Sequence, residues 1–286
     1  MSKCVNEKMI HGLGTALITP FQADGSVDYE ALARLLDTQL TGVVDYIVVL
    51  GTTGEAATMT DKERAEVRSF VRSYVNGRLP LVLGLGGNCT AAVCEALRNT
   101  DLSGFCAVLS VCPYYNKPNQ EGLYQHFCAV AEASPIPVIL YNVPGRTGVN
   151  LLPETVMRIY NARPDKILGI KEASGNLDQI KHLISLSAES GLLVISGDDG
   201  IACDVMEAGG AGLISVASNA FPEDFMRIVH NKDRGLQDKY AETVRLLFAE
   251  GNPTGIKALL ANHGVIQNYL RLPLVPASPK LQAQLK

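Results

Sequence analysis

The stretch Ile167-Leu168-Gly169-Ile170-Lys171-Glu172-Ala173-Ser174 decides how the rest of this chain is read. Ile167, Leu168 and Ile170 predict a buried strand, and Lys171 stands where that strand should end. Burial strips an ammonium of its hydration and favours the neutral amine. A neutral amine attacks ketones and aldehydes to form Schiff bases. A lysine at a strand end can equally clear the core and extend its charge into solvent. Lys171 alone leaves both uses open, and the surrounding chain has to choose.

Working outward, the run at 167–170 is one of eight short apolar runs; the others lie at 14–19, 46–50, 81–85, 106–111, 138–141, 192–195 and 212–216. They are continuous in Val, Ile and Leu rather than alternating, which suits strands covered on both faces. Helical patterning fills the gaps at 28–40, 61–75, 120–132, 153–160 and 177–187. Thr60 is a good N-cap for the second of these, with Glu63 at the capping-box position. Eight strands alternating with helices predict an α/β fold, a closed (β/α)8 TIM barrel. Beyond Pro222 the strand signals stop, and 225–229, 240–248 and 256–269 read as helices before a Pro-punctuated tail. The expected organisation is therefore a barrel over residues 1–222 carrying the active site and a C-terminal helical appendage over 223–286.

Composition excludes several classes of function. The chain has 286 residues, 47% hydrophobic and 19% charged, with a formal net charge of −4. That balance leaves no basic footprint for nucleic acid or an anionic membrane. The first eleven residues lack the apolar core of a signal peptide, and the longest uncharged stretch, 79–94, is too short to span a bilayer. A cytoplasmic protein is expected. Seven cysteines (Cys4, Cys89, Cys94, Cys106, Cys112, Cys128 and Cys203) show no Cys-x-x-Cys pairing and read as reduced thiols. Gly84-Leu85-Gly86-Gly87 lacks the third glycine of a dinucleotide fingerprint and reads as a tight strand exit; no P-loop string occurs.

In a barrel of this kind the functional groups gather just after the strands, at one face. After the second strand comes Gly51-Thr52-Thr53-Gly54-Glu55, whose hydroxyls and backbone N–H groups suit a carboxylate or, equally, a capped turn. After the fourth comes Cys112-Pro113-Tyr114-Tyr115-Asn116-Lys117-Pro118, a tyrosine pair fit for packing or for chemistry. After the fifth comes Tyr141-Asn142-Val143-Pro144-Gly145-Arg146-Thr147-Gly148. Its phenol can move protons, and its guanidinium suits a carboxylate or an ordinary salt bridge. Ser196-Gly197-Asp198-Asp199 reads as helix capping in preference to a metal site, and all five histidines fall away from the strand ends. A lysine, a tyrosine, two threonines and an arginine on one rim describe carbonyl chemistry with a carboxylate anchor.

Four of these strings, Gly51–Glu55, Tyr114–Pro118, Tyr141–Gly148 and Gly169–Ser174, resemble in order the dihydrodipicolinate synthase / N-acetylneuraminate lyase family of Schiff-base barrels. The likeness runs from about Gly12 to Arg271-Leu272-Pro273. The double threonine and Arg146 are similar to the synthase branch rather than to the sialic acid lyases. The resemblance implies condensation of pyruvate with L-aspartate-4-semialdehyde, the step committing to diaminopimelate and lysine, with no cofactor beyond an imine on Lys171. It implies Tyr141 as general acid/base, Thr52 and Tyr115 as relay partners, and Thr53 holding the pyruvate carboxylate. Arg146 would grip the aldehyde substrate, and the backbone of Gly197 and Ile214 would line the pocket. The tyrosine at the Tyr115 position reaches into a neighbouring subunit in the family, which implies a homo-oligomer, a tetramer built as a dimer of dimers.

One departure stands out. Lysine-inhibited members carry a glutamate four residues after the asparagine matching Asn88, where this chain has Ala92, and histidines where it has Asp61 and Arg64. Weak or absent feedback by lysine is expected. The alternatives are another pyruvate-dependent aldolase of 2-keto or sugar acids, against which Arg146 argues, and a catalytically dead barrel used for binding. A dead copy could have lost Lys171, Tyr141 or Thr52 freely.

Overall fold

A computed structural model describes residues 10–42 and 44–285, so Cys4 lies outside the described residues. The eight apolar runs form parallel strands that close into one barrel in sequence order. They are β1 (Gly12–Ala16), β2 (Tyr46–Val49), β3 (Leu81–Gly84), β4 (Ala107–Val111), β5 (Val138–Asn142), β6 (Ile167–Glu172), β7 (Leu193–Ser196) and β8 (Gly212–Ser215). The ring closes where Gly12 to Thr15 of β1 pair with Gly212 to Ser215 of β8.

A helix follows each strand: α1 (Tyr29–Thr41), α2 (Asp61–Val75), α3 (Thr90–Asn99), α4 (Gln120–Ala133), α5 (Pro153–Ala162), α6 (Leu177–Ser187), α7 (Ala202–Glu207) and α8 (Pro222–His230). The C-terminal part adds α9 (Arg234–Phe248), α10 (Thr254–Asn262) and α11 (Pro279–Gln284). The fold is thus the expected (β/α)8 TIM barrel with a C-terminal helical part. The capping box at α2 is present in full, Thr60 Oγ1 accepting from the Glu63 N–H and Glu63 accepting from the Thr60 N–H.

Strand side chains alternate between two cores. Ala16, Tyr46, Val48, Val82, Leu109, Ile139, Leu168, Ile195 and Ile214 fill the barrel interior. Ile47, Val49, Leu83, Val108, Leu140 and Ile170 pack outward against the helices. Tyr46 crosses the interior only because Gly14 faces it: a Cβ on Gly14 would lie 2.2 Å from the Tyr46 ring.

The elements differ from the sequence expectation at several places. β1 starts and ends earlier than 14–19, because beyond Leu17 the ladder gives way to a side-chain contact: Asn219 Oδ1 accepts from the Ile18 N–H at 3.1 Å. β6 runs two residues past Ile170, since Lys171 and Glu172 pair with β5 on one side and β7 on the other. Lys171 is therefore inside the strand's last turn of pleat rather than beyond it. α3 was not anticipated; it buries only Val93, Cys94 and Leu97 and has no side-chain cap. The helix expected over 256–269 stops at Asn262, where Gly264 takes a φ of +72° and the Val265 N–H returns to the Leu260 carbonyl at 2.9 Å.

Candidate active site

At the C-terminal ends of the strands, Lys171 and Tyr141 occupy paired positions on β6 and β5. Lys171 is 6% exposed, and its Nζ lies 4.7 Å from the centre of the Tyr141 ring. No ion pair involving Lys171 occurs among the described residues. The lysine does not reach into bulk solvent as a surface ammonium would. It projects into a cavity of about 740 Å³ that also meets Thr53, Arg146, Gly197 and Asn252.

The absence of a side chain at Gly197 makes room for the lysine. A Cβ there would sit 2.8 Å from Lys171 Cε and 2.6 Å from Ala173 Cβ. The Gly197 N–H donates to the Glu172 carbonyl at 2.7 Å, which fixes the β7 exit against the end of β6. Asp198 caps the following 3₁₀ turn through Gly200 N–H at 2.8 Å. Asp199 accepts from the Val216 and Ala217 N–H groups at 3.1 and 3.2 Å, and burial pushes its carboxyl up to about 6. The pair of aspartates therefore organises the β7 and β8 exits, as the capping reading expected.

Thr53 is buried, and its Oγ1 accepts from Asn252 Nδ2 at 2.9 Å. Arg146 is exposed at the mouth and donates from Nη2 to the Asn252 carbonyl at 3.0 Å. One residue of the C-terminal part thus touches both the Thr-Thr loop and the arginine. Asn252 was not singled out in the sequence, although Gly251-Asn252-Pro253 is a turn signal between two helices. Val244, Arg245 and Phe248 of α9 complete the outer wall.

The remaining sequence candidates lie around this cavity. Thr52 lines a second cavity of about 460 Å³, which shares Tyr141, Val143 and Arg146 with the first. Asn88, Ala92, Arg64 and Tyr114 line it too, and among the described residues no carboxylate does. Tyr115 is 88% exposed with a φ of +73°, outside both cavities. The Ile214 side chain is packed in the barrel interior, and Val216, just past the end of β8, reaches the Lys171 cavity. Among the described residues no group of His, Cys, Asp and Glu is arranged to hold a metal, and no helix is long and apolar enough to cross a membrane. The six described cysteines are free thiols.

The chain has counterparts among known proteins. The 4-hydroxy-tetrahydrodipicolinate synthase of Parabacteroides distasonis is 50% identical over 275 residues, spanning 93% of this chain and 92% of its own. That of Phocaeicola vulgatus is 50% identical over the same extent. A crystal structure of the dihydrodipicolinate synthase of Thermotoga maritima superposes with a TM-score of 0.93 at 42% identity, covering 97% of this chain and 96% of that one. The model of the dihydrodipicolinate synthetase family matches residues 9–286, and this chain belongs to that family.

Proposed function

We propose that this protein is a 4-hydroxy-tetrahydrodipicolinate synthase, condensing pyruvate with L-aspartate-4-semialdehyde on the route to diaminopimelate and lysine. The single observation that carries the mechanism is Lys171, buried beside Tyr141 in a sizeable cavity and without an ion-pair partner among the described residues. Its amine attacks the ketone carbon of pyruvate, and the carbinolamine loses water to give the imine. Loss of a methyl proton gives an enamine, whose carbon attacks the aldehyde of the second substrate. The alkoxide formed on the aldehyde carbon takes up a proton, and the amino group of the second substrate attacks the imine carbon, closing the ring and expelling the Lys171 amine. No metal or prosthetic group enters these steps.

Tyr141 is the proton carrier for imine and enamine formation, with Thr52 and Tyr115 as its relay. Tyr115 is too exposed to act within its own chain, so the relay is completed by the Tyr115 of a second copy. That arrangement makes a dimer the minimal active unit and fits a tetramer of two such dimers, in the cytoplasm. Thr53, through its hydroxyl and backbone N–H, holds the pyruvate carboxylate. Arg146 grips the carboxylate of the semialdehyde at the mouth. The backbone at Gly197 and Ile214 borders the bound pyruvate.

Borohydride reduction in the presence of pyruvate, followed by peptide mass spectrometry, tests the reading. A reduced pyruvyl adduct confined to Lys171, with turnover of aspartate semialdehyde in preference to sugar aldehydes, is expected. Folded protein giving no adduct would refute it.

A further inference from the structure

Behind the Lys171–Tyr141 pair lies a second pair that the reaction does not use. In the β5–β6 register Tyr141 is opposite Lys171, and Asn142 is opposite Glu172. Side chains alternate along a strand, so Asn142 and Glu172 face the helix layer, back to back with the lysine. Both are 0% exposed.

Among the described residues the Glu172 carboxylate is held by neutral donors alone. Asn142 Nδ2 approaches its two oxygens at 3.2 and 3.0 Å, the Ser174 N–H donates at 2.8 Å, and Gln179 Nε2 donates at 3.2 Å. Donors from β5, from the β6 exit and from α6 thus converge on one acceptor-only group. The titratable neighbour is Cys112 at the β4 exit, whose thiol is pushed up by burial and then by the Glu172 charge. No cation pairs with Glu172 among the described residues, and burial raises its carboxyl above the usual range. A raised carboxylate contributes stability at low pH that is lost as pH rises through the raised value.

The same cluster closes the loop that carries Arg146. Asn142 Oδ1 accepts from the Leu151 N–H at 2.9 Å, and Asn142 Nδ2 donates to Asn150 Oδ1 at 2.8 Å. Asn150 Nδ2 in turn donates to Gln179 Oε1 at 2.8 Å. The loop 143–150, with Arg146 in its short helical turn Pro144–Thr147, is clasped at its base.

We propose that Glu172 is a positioning residue. Its carboxylate ties β5, the Arg146 loop and α6 to β6, so that Lys171 meets Tyr141 across the cavity while Arg146 is held at the mouth. The role rests on the Schiff-base reading above and adds to it a residue that never touches substrate.

The test compares wild type with Glu172→Gln, which keeps the shape but sets an N–H₂ group against the Asn142 and Gln179 donors. The rate of borohydride-trapped adduct formation at Lys171 should fall about tenfold or more, because a displacement of ~1 Å can cost up to ~10²-fold. The KM for aspartate semialdehyde should rise as well. A purely structural role would lower the melting temperature and leave both quantities unchanged per folded molecule. Gln179→Met, which removes one donor from a partly exposed helix position, should fold and show a smaller fall in trapping rate. Wild-type trapping rates and KM in both variants would overturn the proposal. Absence of adduct in wild type would instead overturn the Schiff-base reading, and this inference with it.

Discussion

Gly197→Ala is the sharpest test of how tightly the lysine is seated. The added methyl would lie 2.8 Å from Lys171 Cε and 2.6 Å from Ala173 Cβ. Both distances are roughly 0.7–0.9 Å short of the ~3.5 Å at which carbon atoms pack without repulsion. Lys171 Cε is near the end of a flexible chain and can move, but Ala173 Cβ is fixed by its backbone, so the methyl will displace mainly the lysine. The backbone on the other side cannot retreat easily, because the Gly197 N–H is bonded to the Glu172 carbonyl at 2.7 Å. Overpacking of this size costs about 1–3 kcal/mol of stability. A lysine moved by most of an ångström should slow imine formation by about 10- to 100-fold. The assay is the initial rate of borohydride-trapped pyruvyl adduct, alongside a urea melt to show that the variant is folded. A folded Gly197→Ala protein that traps pyruvate at the wild-type rate would refute the argument that Gly197 shapes the lysine's seat.

Three further perturbations follow from other parts of the structure. Millimolar lysine should inhibit weakly or not at all, since among the described residues the cavity beside Asn88 offers Ala92 and no carboxylate to an ammonium; strong inhibition in a steady-state assay would contradict this. Lys257→Met should destabilise the protein by about 3–5 kcal/mol in urea, because it leaves the Glu55 carboxylate buried without its partner; an unchanged midpoint would show the pair to be dispensable. Burial depresses His126 from 6.5 to about 4 while its Nδ1 lies 2.8 Å from Thr90 Oγ1. A depressed histidine binds its proton more readily when unfolded, so its contribution is present above pH 6.5 and is lost as pH falls toward 4. The loss cannot exceed about 1.4 kcal/mol per pH unit. Asp199 and Glu172, both raised, act in the opposite sense. Denaturant melts of wild type and His126→Leu across that range should therefore diverge, with the wild type falling more steeply, and parallel curves would refute the assignment.

The barrel was legible because parallel strands buried on both faces leave continuous aliphatic runs; β2, β3, β4 and β8 lie within those runs, and β5, β6 and β7 overrun theirs by one or two residues. Tyr141 and Lys171 could be placed on one rim for the same reason: each stands at the end of such a run. β1 was displaced because Leu17, Ile18 and Thr19 continue the apolar pattern after the ladder has ended, and only the contact to Asn219, 201 residues away, shows where it stops. α3 escaped notice because Thr90, Ala91 and Ala92 carry neither a charge nor a cap to announce a helix. Asn252 was beyond reach for a different reason. Its partner Thr53 lies 199 positions earlier, and nothing local in either segment encodes the contact.

That long-range contact bears on what the C-terminal part does. Lys171 and Tyr141 stand on paired strands, where the ladder holds their backbones; Thr52 and Thr53 stand on a loop, which has no ladder of its own. Their loop is held instead from the C-terminal side. Asn252 binds Thr53, and Lys257 of α10 forms a fully buried ion pair with Glu55 while donating to the Tyr269 carbonyl at 3.1 Å. The Arg271 N–H reaches Glu55 Oε2 at 3.3 Å, and its guanidinium reaches Glu63 and the carbonyls of Gly25 and Thr58. Phe21 lies beneath both cations, 4.1 Å from Lys257 Nζ and 4.4 Å from Arg271 Cζ. Holding a reacting group to within about half an ångström takes support of this kind around a loop. The barrel carries the proposed nucleophile and its proposed proton carrier, while the C-terminal part after it holds the loop on which the proposed carboxylate-binding threonine depends.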